Sequence, residues 1–138
     1  MTDKEIHRIC ERYYIQNYTI NLDGSIDVNG NVDLSHLNLN KIPIKFNIVK
    51  GYFKCSNNKL KTLDNSPNEV VRGYFNCSWN KLSNLLHSPR YLDGIFYCYE
   101  NTLKSLNGYN NDYSKLVTNQ KLDKIIRKDK IKRIRELL

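Results

Sequence analysis

The residues with the widest chemical repertoire in this chain are four cysteines, Cys10, Cys55, Cys77 and Cys98, and three histidines, His7, His36 and His87. A thiolate can attack a carbon centre, exchange with a disulfide or hold zinc, and an imidazole can act as base or ligand. Their arrangement points elsewhere. No Cys-x-x-Cys pair occurs, the histidines are scattered among polar neighbours, and the carboxylates do not recur as a pair. A Gly-rich phosphate loop and a Ser/His/Asp set are both missing from the sequence. The chain is therefore expected to have no catalytic residues, no metal and no cofactor, and to keep its thiols reduced. Cys55, Cys77 and Cys98 recur at intervals of 22 and 21 residues, which would stack them on neighbouring strands roughly 4.8 Å apart. Each is two residues from a Phe, and a free Cys in such a slot behaves as a small buried hydrophobe.

The elements that must position these residues come from an internal repeat. Gly51-Tyr-Phe-Lys-Cys-Ser-Asn-Asn-Lys-Leu-Lys-Thr-Leu63, Gly73-Tyr-Phe-Asn-Cys-Ser-Trp-Asn-Lys-Leu-Ser-Asn-Leu85 and Gly94-Ile-Phe-Tyr-Cys-Tyr-Glu-Asn-Thr-Leu-Lys-Ser-Leu106 align without gaps. A divergent fourth copy begins 21 residues upstream at Gly30, with Val32, Leu34, Leu39 and Ile42 in the apolar slots. Phe and Cys alternate with polar or surface residues, as in a short strand with one buried face. Asn58, Asn80 and Asn101 stand where the chain leaves each strand, and their carboxamides can bond the backbone there and continue as a ladder. The first copy has Leu37 at that position. The returns are short and contain Pro67 or Pro89, so an irregular or single-turn segment is expected in place of a full helix.

The run Gly-x-Phe-x-Cys-Ser-x-Asn-x-Leu-x-x-Leu, with its Ser-Pro return, resembles the short leucine-rich repeats of bacteriophage and other viral proteins; it covers residues 30–106. The resemblance implies a binding protein directed at a host factor, in a class that includes inhibitors of bacterial defences such as CRISPR. It supplies no catalytic residues.

A solenoid exposes its core at both ends, so the flanks should act as lids. Thr2-Asp-Lys-Glu5 has the form of a capping box, and Ile6, Ile9, Cys10 and Tyr13 follow on one helical stripe. Residues 18–34 alternate around Asp23-Gly24 and Asn29-Gly30 and predict a three-stranded meander. Three-residue loops would pair Leu22 with Ile26 and Val28 with Val32, the third strand being the first of the solenoid. Leu116–Leu138 is rich in helix formers. Its apolar residues form two groups, Leu122/Ile125/Ile126 and Ile131/Ile134/Leu138, that lie on different sides of an ideal helix. Either the helix breaks near Lys128-Asp129-Lys130, or its last turns face something other than the core.

The expected fold is thus mostly β with α-helical ends. It is a single domain with a helix-and-meander cap over 1–29, a parallel solenoid sheet of about four repeat strands over 30–110, and a basic helical cap over 111–138. With 40% hydrophobic and 26% charged residues the chain should fold, and it contains no apolar run of membrane-spanning length and no apolar signal core. A cytoplasmic location is expected, that of the host cell if the protein is viral. Of the net charge of +8, +6 resides in residues 114–138.

Alternation places four columns on the outer surface of the repeat strands: Asn31/Tyr52/Tyr74/Ile95, Asp33/Lys54/Asn76/Tyr97, Ser35/Ser56/Ser78/Tyr99 and His36/Asn57/Trp79/Glu100. Aromatics of this kind combine large contact area with a polar handle. Tyr52, Lys54, Tyr74, Asn76, Trp79, Tyr97 and Tyr99 are the expected protein-binding residues of a non-catalytic interaction module. The alternative is a nucleic-acid-binding protein that stacks tyrosines on bases and reaches phosphates with the basic helix. Lys124, Arg127, Lys128, Lys130, Lys132, Arg133 and Arg135 are the candidate contacts to nucleic acid or an acidic partner, and Ile131, Ile134 and Leu138 form a candidate self-association stripe.

Overall fold

The computed structural model describes residues 1–119 and 123–138. Its elements run α1 (Asp3–Arg12), β1 (Tyr18–Ile20), β2 (Ile26–Val28), β3 (Val32–Asp33), β4 (Phe46–Val49), β5 (Phe53–Lys54), β6 (Glu69–Val70), β7 (Phe75–Asn76), β8 (Tyr91–Leu92), β9 (Phe96–Tyr97), a 3-10 turn (Tyr113–Lys115), β10 (Leu116–Val117) and α2 (Asp123–Glu136). The expected parallel solenoid is present. Strands β3, β5, β7, β9 and β10 pair in parallel, with Val32, Phe53, Phe75, Phe96 and Leu116 in one register column.

Each return contributes a strand to a second sheet, ordered β1-β2-β4-β6-β8 and parallel from β2 onward. The core lies between these sheets. Phe46 of the return sheet meets Phe53 edge-on at 5.0 Å, Phe53 stacks on Phe75 at 5.6 Å, and Phe75 stacks on Phe96 at 4.9 Å. Tyr109 closes this line edge-on against Phe96 at 5.2 Å, fully buried, with its hydroxyl donating to the Asp112 carbonyl.

The asparagine ladder runs in one direction. Asn80 Nδ2 donates to the carbonyls of Cys77 in its own copy and Cys55 in the copy before, while its Oδ1 accepts from Leu60 N. Asn58 does the same for Leu34, Leu37 and Leu39, and Asn101 for Cys77 and Leu82. Each Asn serves the preceding copy. The first copy has none before it, and Leu37 can stand there because Asn58 satisfies its N–H.

The N-terminal lid forms as the capping box predicts, with Glu5 N donating to Thr2 Oγ1 and Thr2 N to Glu5 Oε2. Ile6 and Cys10 are fully buried, and Ile9 and Tyr13 pack beside them. The meander is corrected to a hairpin. Ile20 pairs with Ile26, Leu22 sits fully exposed in the loop, and β2 gives its other edge to β4, leaving β3 to start the other sheet. Polar groups make the wider loop possible: Asp23 Oδ1 accepts from Ser25 N and Oγ, and Asn21 N bonds Ser25 O.

At the other end the helix is shorter than expected. Leu116 and Val117 form strand β10 instead, which covers the otherwise open edge of β9. From Asp123 to Glu136 helix α2 is unbroken, so of the two alternatives the second holds: Ile125 and Ile126 pack on the core, while Ile131 and Ile134 are 49% and 60% exposed. Leu122 and Lys121 lie outside the described residues.

Candidate protein-binding face

The outer surface of the β3/β5/β7/β9/β10 sheet gathers the expected aromatic residues. In the first column Tyr52 and Tyr74 stack with ring centroids 5.1 Å apart and planes 9° from parallel. Tyr97, in the next column, meets Tyr74 edge-on at 5.7 Å, and Tyr99 lies 6.3 Å from Tyr97. The four rings form a continuous strip across three copies. Within the strip only Tyr52 and Tyr74 are stacked, so that these two cover one face of each other and offer edges and hydroxyl groups outward. Burial raises the Tyr74 phenol above its ordinary value.

Lys54 lies in register with Asn76 and Asp33, placing one cation and one anion on the β3/β5 side of the strip. Asn76 is partly committed to the backbone, its Oδ1 accepting from Ser78 N at 3.0 Å. The serine column departs from the outward reading. Ser56 and Ser78 are buried as the chain turns out of the strand, and Ser78 Oγ accepts from Tyr99 N. Of the four members of this column only the last, Tyr99, is exposed, Ser35 being half-buried.

Trp79 stands at the edge of the strip, 56% exposed, in a left-handed backbone conformation with φ of 58°. The same conformation recurs at His36 (57°), Asn57 (56°) and Glu100 (47°), so the repeat imposes it on every copy. Successive copies are tied there by His36 N to Ser56 O, Asn57 N to Ser78 O and Trp79 N to Tyr99 O. Of the four residue types Asn suits this conformation best, and a bulky side chain fits it poorly. Asn57 was the one sequence signal for it.

The basic segment divides into two roles. Lys124, Arg127, Lys128, Lys130, Lys132 and Arg135 are exposed on α2. Arg133 is half-buried and anchors the helix: its Nε pairs with Asp129 at 2.8 Å, its guanidinium lies 4.7 Å from the Tyr113 ring centroid, and it donates to the Tyr109 carbonyl. Asp129 also accepts from the Tyr113 hydroxyl, and Lys130 lies 5.0 Å from the same ring centroid.

The cysteine column is fully buried, and burial pushes the Cys55, Cys77 and Cys98 thiols upward, away from reactive thiolate. Cys10 approaches Tyr18, which bonds His7, yet this thiol is also buried and raised. Among the described residues no group of three or more His, Cys, Asp or Glu could hold a metal ion, and no helix is long and apolar enough to cross a membrane. The return side carries a broad groove of about 750 Å³, lined in part by Lys41, Phe46, Asn65, Leu86, His87 and Arg90, which the sequence did not signal. Comparison with protein-family models, with curated proteins and with solved structures found no match.

Proposed function

We propose that the protein is a non-catalytic protein-binding module whose partner seats on the Tyr52/Tyr74/Tyr97/Tyr99 strip with Trp79 as its anchor. Trp79 carries this reading. It is largely outside the core, and it occupies a left-handed conformation that favours Asn, the residue at the equivalent position 57. A strained, exposed, bulky residue beside an aromatic strip has its rationale in contact with something else. Lys54, Asp33 and the phenol groups supply polar groups elsewhere on the same sheet surface.

The nucleic-acid alternative requires tyrosines with free faces for bases. Mutual stacking of Tyr52 and Tyr74 works against it on this surface, as does the presence of Asp33 and Glu100 there. The resemblance of the repeats to those of phage and other viral proteins extends the proposal to a host factor as the partner, met in the host cytoplasm, with inhibition of a bacterial defence as one such role.

The test is affinity capture of host proteins on immobilised wild type, Trp79→Asn and Trp79→Ala/Tyr97→Ala, followed by titration of the captured protein in purified form. Both variants are expected to fold and to bind at least about tenfold more weakly. Unchanged affinity in both would remove the proposed face.

A further inference from the structure

The outward arc of α2 combines two features that belong together. On a helix with a step of about 100° per residue, Ile134, Arg127, Ile131, Lys124, Arg135 and Lys128 fall within an arc of about 120°. All six are exposed. The arc itself contains no carboxylate: exposed Asp123 falls about 20° beyond its edge in the first turn, Asp129 is drawn to the inner side by Arg133 and Tyr113, and Glu136 is paired with Lys132 at 4.0 Å. The latch of Arg133 against Tyr109 and Tyr113 fixes the rotation of the helix and so fixes which residues face out.

We propose that this arc is a second docking surface, separate from the tyrosine strip, for an acidic protein segment that carries aliphatic side chains among its carboxylates. Charge selects the sign of the partner, since the arc offers four cations and no anion. The aliphatic residues select its class. Ile131 lies among Lys128, Lys132, Arg135 and Glu136 in a shallow surface depression, where Glu136 sits beside Lys132 outside the arc, and a phosphate backbone would gain nothing from covering the isoleucine. An acidic segment with leucine-like residues would neutralise the lysines and bury Ile131 and Ile134 together. A second copy of this chain is a poor fit, because two such arcs face to face would oppose their cations.

The experiment uses the full chain and two labelled synthetic peptides of equal length and equal negative charge. One has leucines spaced three and four residues apart among glutamates, and the other has serines at those positions. Fluorescence anisotropy should show the leucine peptide binding at least about tenfold more tightly than the serine peptide. Ile131→Ser/Ile134→Ser should abolish that difference with the helical circular dichroism retained, and Lys128→Gln/Arg135→Gln should weaken both peptides and flatten their salt dependence. Equal binding of the two peptides, or none, overturns the proposal. So does tighter binding of a labelled oligonucleotide that is indifferent to the isoleucine changes, or a dimer mass in light scattering that the isoleucine changes convert to monomer.

Discussion

Tyr52 and Tyr74 occupy the same outward column on adjacent strands and stack at 5.1 Å, while Tyr74 also receives the edge of Tyr97 at 5.7 Å. Tyr74 is therefore the middle of the strip and has partners on both sides. Replacing it with Ala should separate Tyr52 from Tyr97, whereas Phe should preserve the stack. In urea unfolding, Tyr74→Phe is expected to lie near wild type. A Tyr52→Ala/Tyr74→Ala double-mutant cycle should give a coupling of about 0.5–1.5 kcal/mol. A coupling within error of zero would mean that the rings tile the sheet independently.

The parts of this fold that the sequence displays are those repeated in identical residues. Phe53, Phe75 and Phe96 with Cys55, Cys77 and Cys98 declare the β5/β7/β9 register because the same pair returns in three copies. The return sheet is harder to see. Strands β6 and β8 are two residues long and bury one residue each, Val70 and Leu92, which is too little to establish a period. Leu116 and Val117 read as helix from their neighbours, but an open edge at β9 recruits them as a strand, a tertiary effect that local propensity does not contain. Of the candidate site, the aromatic columns were legible by alternation. Burial of Ser56 and Ser78 was not, since it follows from the left-handed residue after each serine, and Trp79 and Glu100 give no local hint of that conformation.

Asn80 is buried and bonds Leu60 N with one end of its carboxamide and the Cys55 and Cys77 carbonyls with the other. Alanine at this position would strand those backbone groups away from water. Asn80→Ala is expected to destabilise the protein by on the order of 3 kcal/mol, measured by chemical denaturation. Asn101→Ala should have a smaller effect, because Asn101 is only half-buried and water can replace part of what is lost. Equal losses at the two positions would show that burial does not grade the ladder.

Gly73 marks a corner where successive copies touch backbone to backbone. A Cβ there would fall 2.3 Å from both Gly51 C and Tyr52 N, with no flexible side chain to yield. Gly73→Ala is expected to cost about 1–3 kcal/mol through forced separation of the second and third copies. Gly24 provides the contrast, since a Cβ there meets nothing within 4 Å but its φ is +84°. Gly24→Asn should be nearly neutral, because Asn tolerates that conformation. Thermal unfolding of the two variants would separate the steric requirement from the conformational one, and a tolerated Gly73→Ala would contradict the close stacking.

Stability should also decline in alkali, for reasons located in the cysteine column and its lid. Burial pushes the Cys98 thiol to about 12 from an ordinary 9.0, and raises Cys55, Cys77 and the Tyr109 phenol as well. In the unfolded chain these groups release their protons at ordinary values, so between the two pKa values the unfolded state binds fewer protons than the native state. Stability falls with rising pH wherever that holds. The contribution of the thiols is complete below about pH 9 and is lost as pH rises through their folded values, each group adding a slope of at most about 1.4 kcal/mol per pH unit. Urea midpoints measured under reducing conditions at pH 7.5 and pH 10 should therefore drop at the higher pH. Cys98→Ala should start lower but lose less over the same interval, having one fewer titrating thiol. A midpoint unchanged between the two pH values would mean that the thiols ionise inside the folded protein, against their burial between the two sheets.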